Sequence, residues 1–322
     1  MSHEVEQMAY AGAVPWHGLG NELTGLETIE QWQVAAGLDW AVRESPVFYY
    51  ADGADFTALR KAESRKVLYR DDSLEPLSVV SKQYKAVQPR EILEFYRDLV
   101  SDFGFTIETA GSLKGGLKVW ALAKTSESAF LASQDEVRGY LLLATSYDGT
   151  FATTGQYTNI RVVCNNTLQM SLNKELDAVK IGHREEFNPT EVKALLGLNH
   201  DAFAAWRASA ELLTQVKVGA EKAHEFYRQV MGVPAKDDAV LPRQMTAKNL
   251  ADAFTANFVN GQYIGSDLEA SSNTAWGLVN VVTEYLDHVR RESRAGNRIH
   301  DAWFGNGAAI KHRTWEQAVE LV

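Results

Sequence analysis

The sequence predicts an α+β fold in which an antiparallel sheet is followed by a helical C-terminal half. Segments rich in β-branched and aromatic residues lie between residues 42 and 163, whereas after Asn188-Pro189 the apolar residues recur at helical spacing. Asp148-Gly149 separates two of the β-rich segments, and this dipeptide is typical of a tight hairpin turn. We therefore predict an N-terminal arm (1–41), a sheet domain (42–187) and a helical region (188–322).

The arm is predicted to be ordered, because its aromatic side chains carry too much apolar surface to be left in water. Thr28 is a candidate N-cap for a short helix that ends at Gly37. The aromatic residues of the arm are Tyr10, Trp16, Trp32 and Trp40.

The sheet domain is predicted to run in the order hairpin, helix, four-stranded meander, helix. A first strand at 42–50 precedes the hairpin, and Asn166 is a candidate N-cap for the closing helix, which would reach about residue 176. The hairpin comprises 66–70 and 77–81, the first helix 89–103, and the meander 105–110, 118–124, 138–147 and 150–163.

After Asn188-Pro189, five segments show helical spacing of apolar residues, and no internal repeat is found. The longest ends at Gly232-Val233-Pro234, which cannot continue a helix. The segments are 190–196, 201–231, 247–257, 272–291 and 308–321.

The net charge is −10, which is not the charge of a typical nucleic-acid-binding protein, but the charge is unevenly distributed. Residues 1–42 hold six acidic and no basic residues, whereas residues 289–313 hold six basic and two acidic ones. Cys164 is the only cysteine, no signal peptide is recognisable, and no apolar run is long enough to span a bilayer. These features predict a cytoplasmic protein with no membrane partner.

No motif predicts catalysis, a metal or a cofactor. No histidine pair has the spacing of a zinc protease, and the glycine-rich segment 111–116 is followed by a strand rather than by the helix of a phosphate loop. Cys164 is more typical of a buried strand end than of a nucleophile. Gly305-Asn306-Gly307 could present N–H groups to an anion or simply cap a helix, and Asp148 is better explained as a turn residue than as an acid catalyst.

A basic surface with exposed rings is what single-stranded nucleic acid requires, because cations contact the backbone and rings stack on bases. Candidate residues on or beside the predicted meander have this composition, and an arginine-rich strip near the C-terminus offers a second contact. An equally valid interpretation has the rings in the core and the cations as ordinary surface charge. The candidates are Lys114, Lys118, Arg138, Tyr157 and Arg161, with Arg290, Arg294 and Arg298 in the strip.

Four sets of short motifs are MAYAG and PWHGLG (8–12, 15–20), QYKAVQ and AGSLKGG (83–88, 110–116), SYDGT and RVVCNNTL (146–150, 161–168), and WGLVN and AWFG (276–280, 302–305). Together they resemble the phage/plasmid-like protein family built on the domain of unknown function numbered 932. The resemblance implies origin in a mobile element and supplies no catalytic residues. Where the family pattern has His, this chain has Tyr147, which argues against an essential imidazole at that turn. The order of elements is also similar to that of phage single-strand annealing proteins, which form rings or filaments on DNA.

Our leading hypothesis is a nucleic-acid-binding protein, with single-stranded DNA as the expected ligand, that self-associates into a ring or filament and takes part in strand annealing or recombination; the sequence leaves open the preference between single and double strands. The alternative is a phage accessory protein that binds a host protein, which the overall acidity favours. An enzyme is the third and weakest interpretation.

Overall fold

The computed structural model describes residues 5–12, 15, 19–51, 59–161, 166–169, 178–196, 200–290, 301, 303 and 305–322. Of residues 160–161, 166–169, 200–202 and 238, only the backbone is described.

The described strands form two sheets. In the larger sheet the neighbouring strands follow the order β10-β9-β8-β7-β6-β1-β2, and β11 also pairs with β9. The smaller sheet is antiparallel, in the order β3-β4-β5. The strands are β1 (Val5–Ala11), β2 (Asn21–Leu23), β3 (Val42–Tyr50), β4 (Leu59–Arg70), β5 (Pro76–Ser81), β6 (Thr106–Leu113), β7 (Lys118–Leu131), β8 (Asp135–Ser146), β9 (Thr153–Arg161), β10 (Asn166–Gln169) and β11 (Val179–Ile181).

The helices lie mainly in the C-terminal half, so the predicted α+β class is confirmed. α8 continues into a π-helical turn at Tyr285–Val289. The α-helices are α1 (Ile29–Ala35), α2 (Pro89–Glu94), α3 (Arg97–Phe103), α4 (Pro189–Leu195), α5 (His200–Gln215), α6 (Ala220–Val230), α7 (Met245–Val259), α8 (Ala275–Glu284) and α9 (Asn306–Val319).

The chain divides into two compact units and crosses between them repeatedly. The first unit comprises 1–126, 140–156 and 178–198, and the second comprises 127–139, 157–177 and 199–322. The second unit has an apolar core in which Trp206, Trp276 and Trp315 contact one another, and the Trp276 indole donates to Asp135 Oδ2 at 2.8 Å. A buried indole N–H is thereby satisfied by a buried carboxylate.

Part of the N-terminal arm is a strand of the larger sheet. β1 pairs antiparallel with β6 and parallel with β2. A Cβ on Gly111 of β6 would lie 2.6 Å from the Gln7 carbonyl oxygen and 2.6 Å from Met8 Cβ, so only glycine allows the two backbones to approach this closely. Thr28 is the N-cap of α1, as the sequence predicts, and the structure adds a capping box with Gln31.

Three predicted helices differ in the structure. Residues 89–103 form two helices rather than one, and residues 201–231 are interrupted between α5 and α6. The helix predicted to start at Asn166 is wrong for 166–169, which form β10, because hydrogen bonding to β9 outweighs the capping preference of asparagine. The rest of that segment lies outside the described residues.

Candidate nucleic-acid interface

Arg70 anchors the smaller sheet at the end of β4. Its guanidinium lies 4.4 Å from the centre of the Trp40 ring and makes two hydrogen bonds to the Asp72 carboxylate, of 2.9 and 2.7 Å. It also forms an ion pair with Glu6 of β1. The hydrogen bonds to Arg70 lower the pKa of Asp72, and those to Asp72 and Glu6 raise the pKa of Arg70. The base of β4 is therefore fixed to the N-terminal strand.

Beyond this anchor, β3 and β4 extend past β5. β5 pairs only with residues 65–69 of β4, whereas β3 and β4 continue to pair as far as Tyr50 and Leu59. We call residues 47–50 and 59–65 the ribbon. Among the described residues, the ribbon strands pair with each other and not with a third strand until Arg65 is reached.

The ribbon exposes large apolar side chains. Phe48 and Tyr49 are each 49% exposed, Tyr50 is 59% exposed and Leu59 is 51% exposed. Phe48, Tyr50 and Leu59 share one face of the ribbon, because Tyr50 pairs with Leu59 and alternate strand residues point the same way, whereas Tyr49 lies on the other face.

Both faces of the ribbon carry a ring beside a cation. Phe48 pairs with Lys61 across the strands, and Tyr49 pairs with Arg60. Directly opposed residues share a face, and successive residues point to opposite faces. The Phe48–Lys61 and Tyr49–Arg60 pairs therefore lie on opposite faces, and all four side chains are exposed.

The ribbon and its base are basic, although the whole chain is acidic. Residues 42–70 contain six basic and four acidic residues, in a chain whose net charge is −10. Arg60, Lys61 and Arg65 are exposed. Lys61 lies 3.4 Å from Glu63, but both side chains are at least half exposed, so this ion pair is weak.

The predicted residues Lys114 and Lys118 flank the β6–β7 turn. Residues 111–113 belong to β6, and β6 pairs antiparallel with β7, so the glycine-rich segment runs into a hairpin turn rather than a phosphate loop. Lys114 is half-buried with a φ of 56°. Lys118 is 4% exposed and its Nζ lies 5.6 Å from the centre of the Phe151 ring. Lys118 therefore contributes little to the protein surface.

Arg138 and Tyr157 belong to the second unit. Arg138 Nε lies 2.7 Å from Glu136 Oε1. Tyr157 is half-buried against the apolar core of this unit, and burial raises its pKa to about 12. The ring of Tyr157 therefore packs against the protein interior.

The arginines predicted near the C-terminal end of the sheet and in the strip are only partly described. The backbone of Arg161 pairs with Asn166, and its side chain is not among those described. Arg290 forms an ion pair of 2.6 Å with Asp301. Arg294 and Arg298 lie outside the described residues.

Two other segments singled out by the sequence have local structural roles. Asp148 accepts hydrogen bonds from the amide and the hydroxyl of Thr150, of 3.0 and 2.6 Å, and so stabilises the turn. A Cβ on Gly305 would lie 2.8 Å from Asp301 Oδ1, so a carboxylate is already placed at the start of α9. Cys164 lies outside the described residues.

A histidine that the sequence did not single out packs against the same turn. The His183 ring stacks on Tyr84 with the ring centres 4.3 Å apart, and its Nε2 lies 2.9 Å from the Phe151 carbonyl oxygen. Burial lowers the pKa of His183. Tyr147 is fully buried and donates to the Val87 carbonyl at 2.8 Å. Both rings therefore hold the turn in place.

Within the described part of the chain, no group of three or more His, Cys, Asp or Glu residues is placed to hold a metal ion. No helix in the same ranges is both long and apolar enough to cross a bilayer.

These features define an α+β protein with an exposed basic ribbon. The domain of unknown function DUF932 matches residues 76–312, and the chain belongs to this family. The match begins at the first residue of β5, so the ribbon precedes the matched segment. Comparison with curated proteins and with solved structures found no significant match.

Proposed function

We propose that this protein binds nucleic acid through the ribbon. The observation that supports the proposal is the exposure of Arg60, Lys61 and Arg65 on a two-stranded projection of an otherwise acidic chain. Lysine and arginine contacts to phosphates supply most of the affinity of non-specific nucleic-acid binding. Local charge therefore matters more here than net charge.

The acidic remainder of the chain limits where a polyanion can bind. A net charge of −10 makes the long-range field of the chain unfavourable to phosphates, so a polyanion needs a locally basic region to bind. The ribbon also has a suitable shape, since a two-stranded β-ribbon fits the major groove of a duplex and can equally lie along a single strand.

Origin in a phage or plasmid, self-association into a ring or filament, and strand annealing belong to the same proposal. They rest on the sequence resemblance and on the order of elements, with no support from the contacts of individual residues. A protein that anneals strands would form large assemblies, and sedimentation of the purified chain with and without DNA tests this part separately.

The net charge favours a second candidate, a factor that binds a basic host protein.

Fluorescence anisotropy with labelled oligonucleotides of about 30 nucleotides separates the two candidates. Nucleic-acid binding predicts saturable binding that weakens steeply between about 50 and 200 mM salt. Absence of binding at the lowest salt, to single strands and to duplex alike, would overturn the proposal in favour of the protein-binding factor.

A further inference from the structure

The two ring–cation pairs of the ribbon indicate more than a phosphate contact. Resting on the proposed function, we infer that the ribbon binds single-stranded nucleic acid, with unpaired bases stacked on Phe48 and Tyr49 and phosphates held by Lys61 and Arg60. The ribbon would bind the strand without reading its sequence, because every base has a flat face.

The arrangement of side chains supports this inference. Each ring lies beside a cation on its own face of the ribbon, since the pairs Phe48–Lys61 and Tyr49–Arg60 are directly opposed. Directly opposed Cβ atoms are about 5 Å apart. When a base stacks on the ring of a pair, the phosphate of the same nucleotide is therefore within reach of the cation of that pair. Each face thus offers both groups that a nucleotide needs.

Exposure of the rings distinguishes unpaired bases from a duplex. A duplex presents base edges in its grooves and keeps the base faces stacked inside, so exposed rings gain little from it. Lysine and arginine side chains alone are sufficient to bind the phosphate backbone of a duplex. Phe48 and Tyr49 are each about half exposed, and stacking on a base would remove apolar surface of these residues from water.

The order of residues in β3 also indicates that its aromatic rings serve at the surface of the protein. Phe48, Tyr49 and Tyr50 are consecutive, and consecutive strand residues point to alternate faces. A core can cover one face of such a strand, but here both faces are exposed. The rings are therefore not arranged to fill the interior of this chain.

The test compares variants that remove the rings with variants that keep them. Phe48→Ile with Tyr49→Ile removes both flat faces and retains apolar, β-forming side chains, whereas Phe48→Tyr with Tyr49→Phe keeps both rings. Phe103→Ile with Phe130→Ile is the matched control, because these rings are 50% and 56% exposed and lie outside the ribbon. Thermal unfolding checks that all variants fold.

The probes are oligothymidylate, oligouridylate, an abasic strand of equal length and a duplex, each of about 30 nucleotides. We expect the ring-removing variant to bind oligothymidylate at least about tenfold more weakly and to bind the abasic strand and the duplex as the unaltered protein does. The ring-keeping variant and the control should match the unaltered protein. The oligouridylate arm shows whether RNA and DNA are both bound.

Three results would overturn the inference. Equal loss on the abasic strand and on oligothymidylate would mean that the rings only support the ribbon. Unchanged binding would mean that no base stacks there, and loss of self-association instead of DNA binding would assign the rings to a second copy of the chain. In each case binding by the unaltered protein would leave the proposed function standing, whereas its absence on every probe would remove both.

Discussion

Lys61 lies directly across the ribbon from Phe48, on the same exposed face. The opposite face repeats the arrangement with Arg60 and Tyr49. Rings and cations are thus interleaved on a ribbon of two paired strands. This arrangement is the basis of our proposal that the ribbon contacts the phosphate backbone and the unpaired bases of a nucleic acid.

The contacts of Arg70 at the end of β4 should be important for the stability of the folded protein. Arg70→Met removes the partner of Glu6 and Asp72 and the cation over Trp40, so we expect a loss of about 3 kcal/mol in the free energy of unfolding. Arg43→Met is the control, because Arg43 is 61% exposed and its ion pair with Asp71 is 3.5 Å long. Urea unfolding should show a change within about 0.5 kcal/mol for the control. Equal effects of the two substitutions would contradict the role of Arg70.

Gly111→Ala should disturb the pairing of β1 with β6. The new Cβ would lie 2.6 Å from the Gln7 carbonyl oxygen, and relieving this contact requires a backbone shift. We expect a loss of about 2 kcal/mol or more in the free energy of unfolding, measured with urea. Gly182→Ala is the matched control, since a Cβ there would meet only Glu185 Oε1, at 4.0 Å, and its backbone lies outside the left-handed region. A control that destabilises as much as Gly111→Ala would refute this explanation.

The pH dependence of the free energy of unfolding should show the contribution of His183. Burial holds its pKa in the folded protein below the ordinary value of 6.5, so the unfolded chain takes up a proton first as the pH falls. Stability should therefore decline on acidification from about pH 7 to about pH 5. The lowered pKa of Asp72 contributes only near and below its ordinary value of 3.8.

His183→Gln should reduce that decline, because glutamine can donate to the Phe151 carbonyl and does not titrate. The measurement is urea unfolding at a series of pH values. An unchanged slope between pH 7 and 5 in the variant would show that another group is responsible.

The buried ion pair of Lys311 and Asp287 offers a test in the second unit. Lys311 is 2% exposed and Asp287 is 7% exposed, and Asp287 lies in the π-helical turn after α8. Asp287→Leu leaves the ammonium buried without its partner and should cost about 3–5 kcal/mol. Adding Lys311→Met should restore most of this loss, because an apolar pair of similar volume avoids the desolvation cost. If the double variant is no more stable than Asp287→Leu, the pair does not control stability in this way.

The sequence predicts those elements whose signals are local. The Thr28 N-cap, the strand at 42–50 and the turn at Asp148-Gly149 follow from short-range preferences and agree with the structure. The break after α2 does not follow from them. There the Tyr96 hydroxyl donates to the carbonyls of Ala121 and Leu141, contacts between residues distant in sequence that override the helical spacing.

The candidate site depends on a second property that the sequence does not predict, namely which face of each strand is buried. Alternation along a strand shows which residues share a face, but it does not show which face is buried. The sequence predicts Lys118 and Tyr157 on an exposed face, whereas the structure buries Lys118 and packs Tyr157 against the core. The ribbon had a signal that was available in the sequence, namely the consecutive rings at 48–50 followed by Arg60 and Lys61. Such a run cannot be buried from one side of a sheet.

The most direct test of the central claim is the salt dependence of binding for a ribbon variant. Arg60→Gln, Lys61→Gln and Arg65→Gln together remove three exposed cations, and Lys180→Gln, Lys222→Gln and Lys236→Gln remove three exposed cations elsewhere. Both triple variants change the net charge equally.

We expect the ribbon variant to bind an oligothymidylate of about 30 nucleotides at least about tenfold more weakly at ~50 mM salt, with a plot of log affinity against log salt that is shallower by about 2, since each single-strand phosphate contact contributes about 0.7. The control should keep the slope of the unaltered protein. Equal affinities and slopes for the two triple variants would contradict the claim that the ribbon holds the nucleic acid.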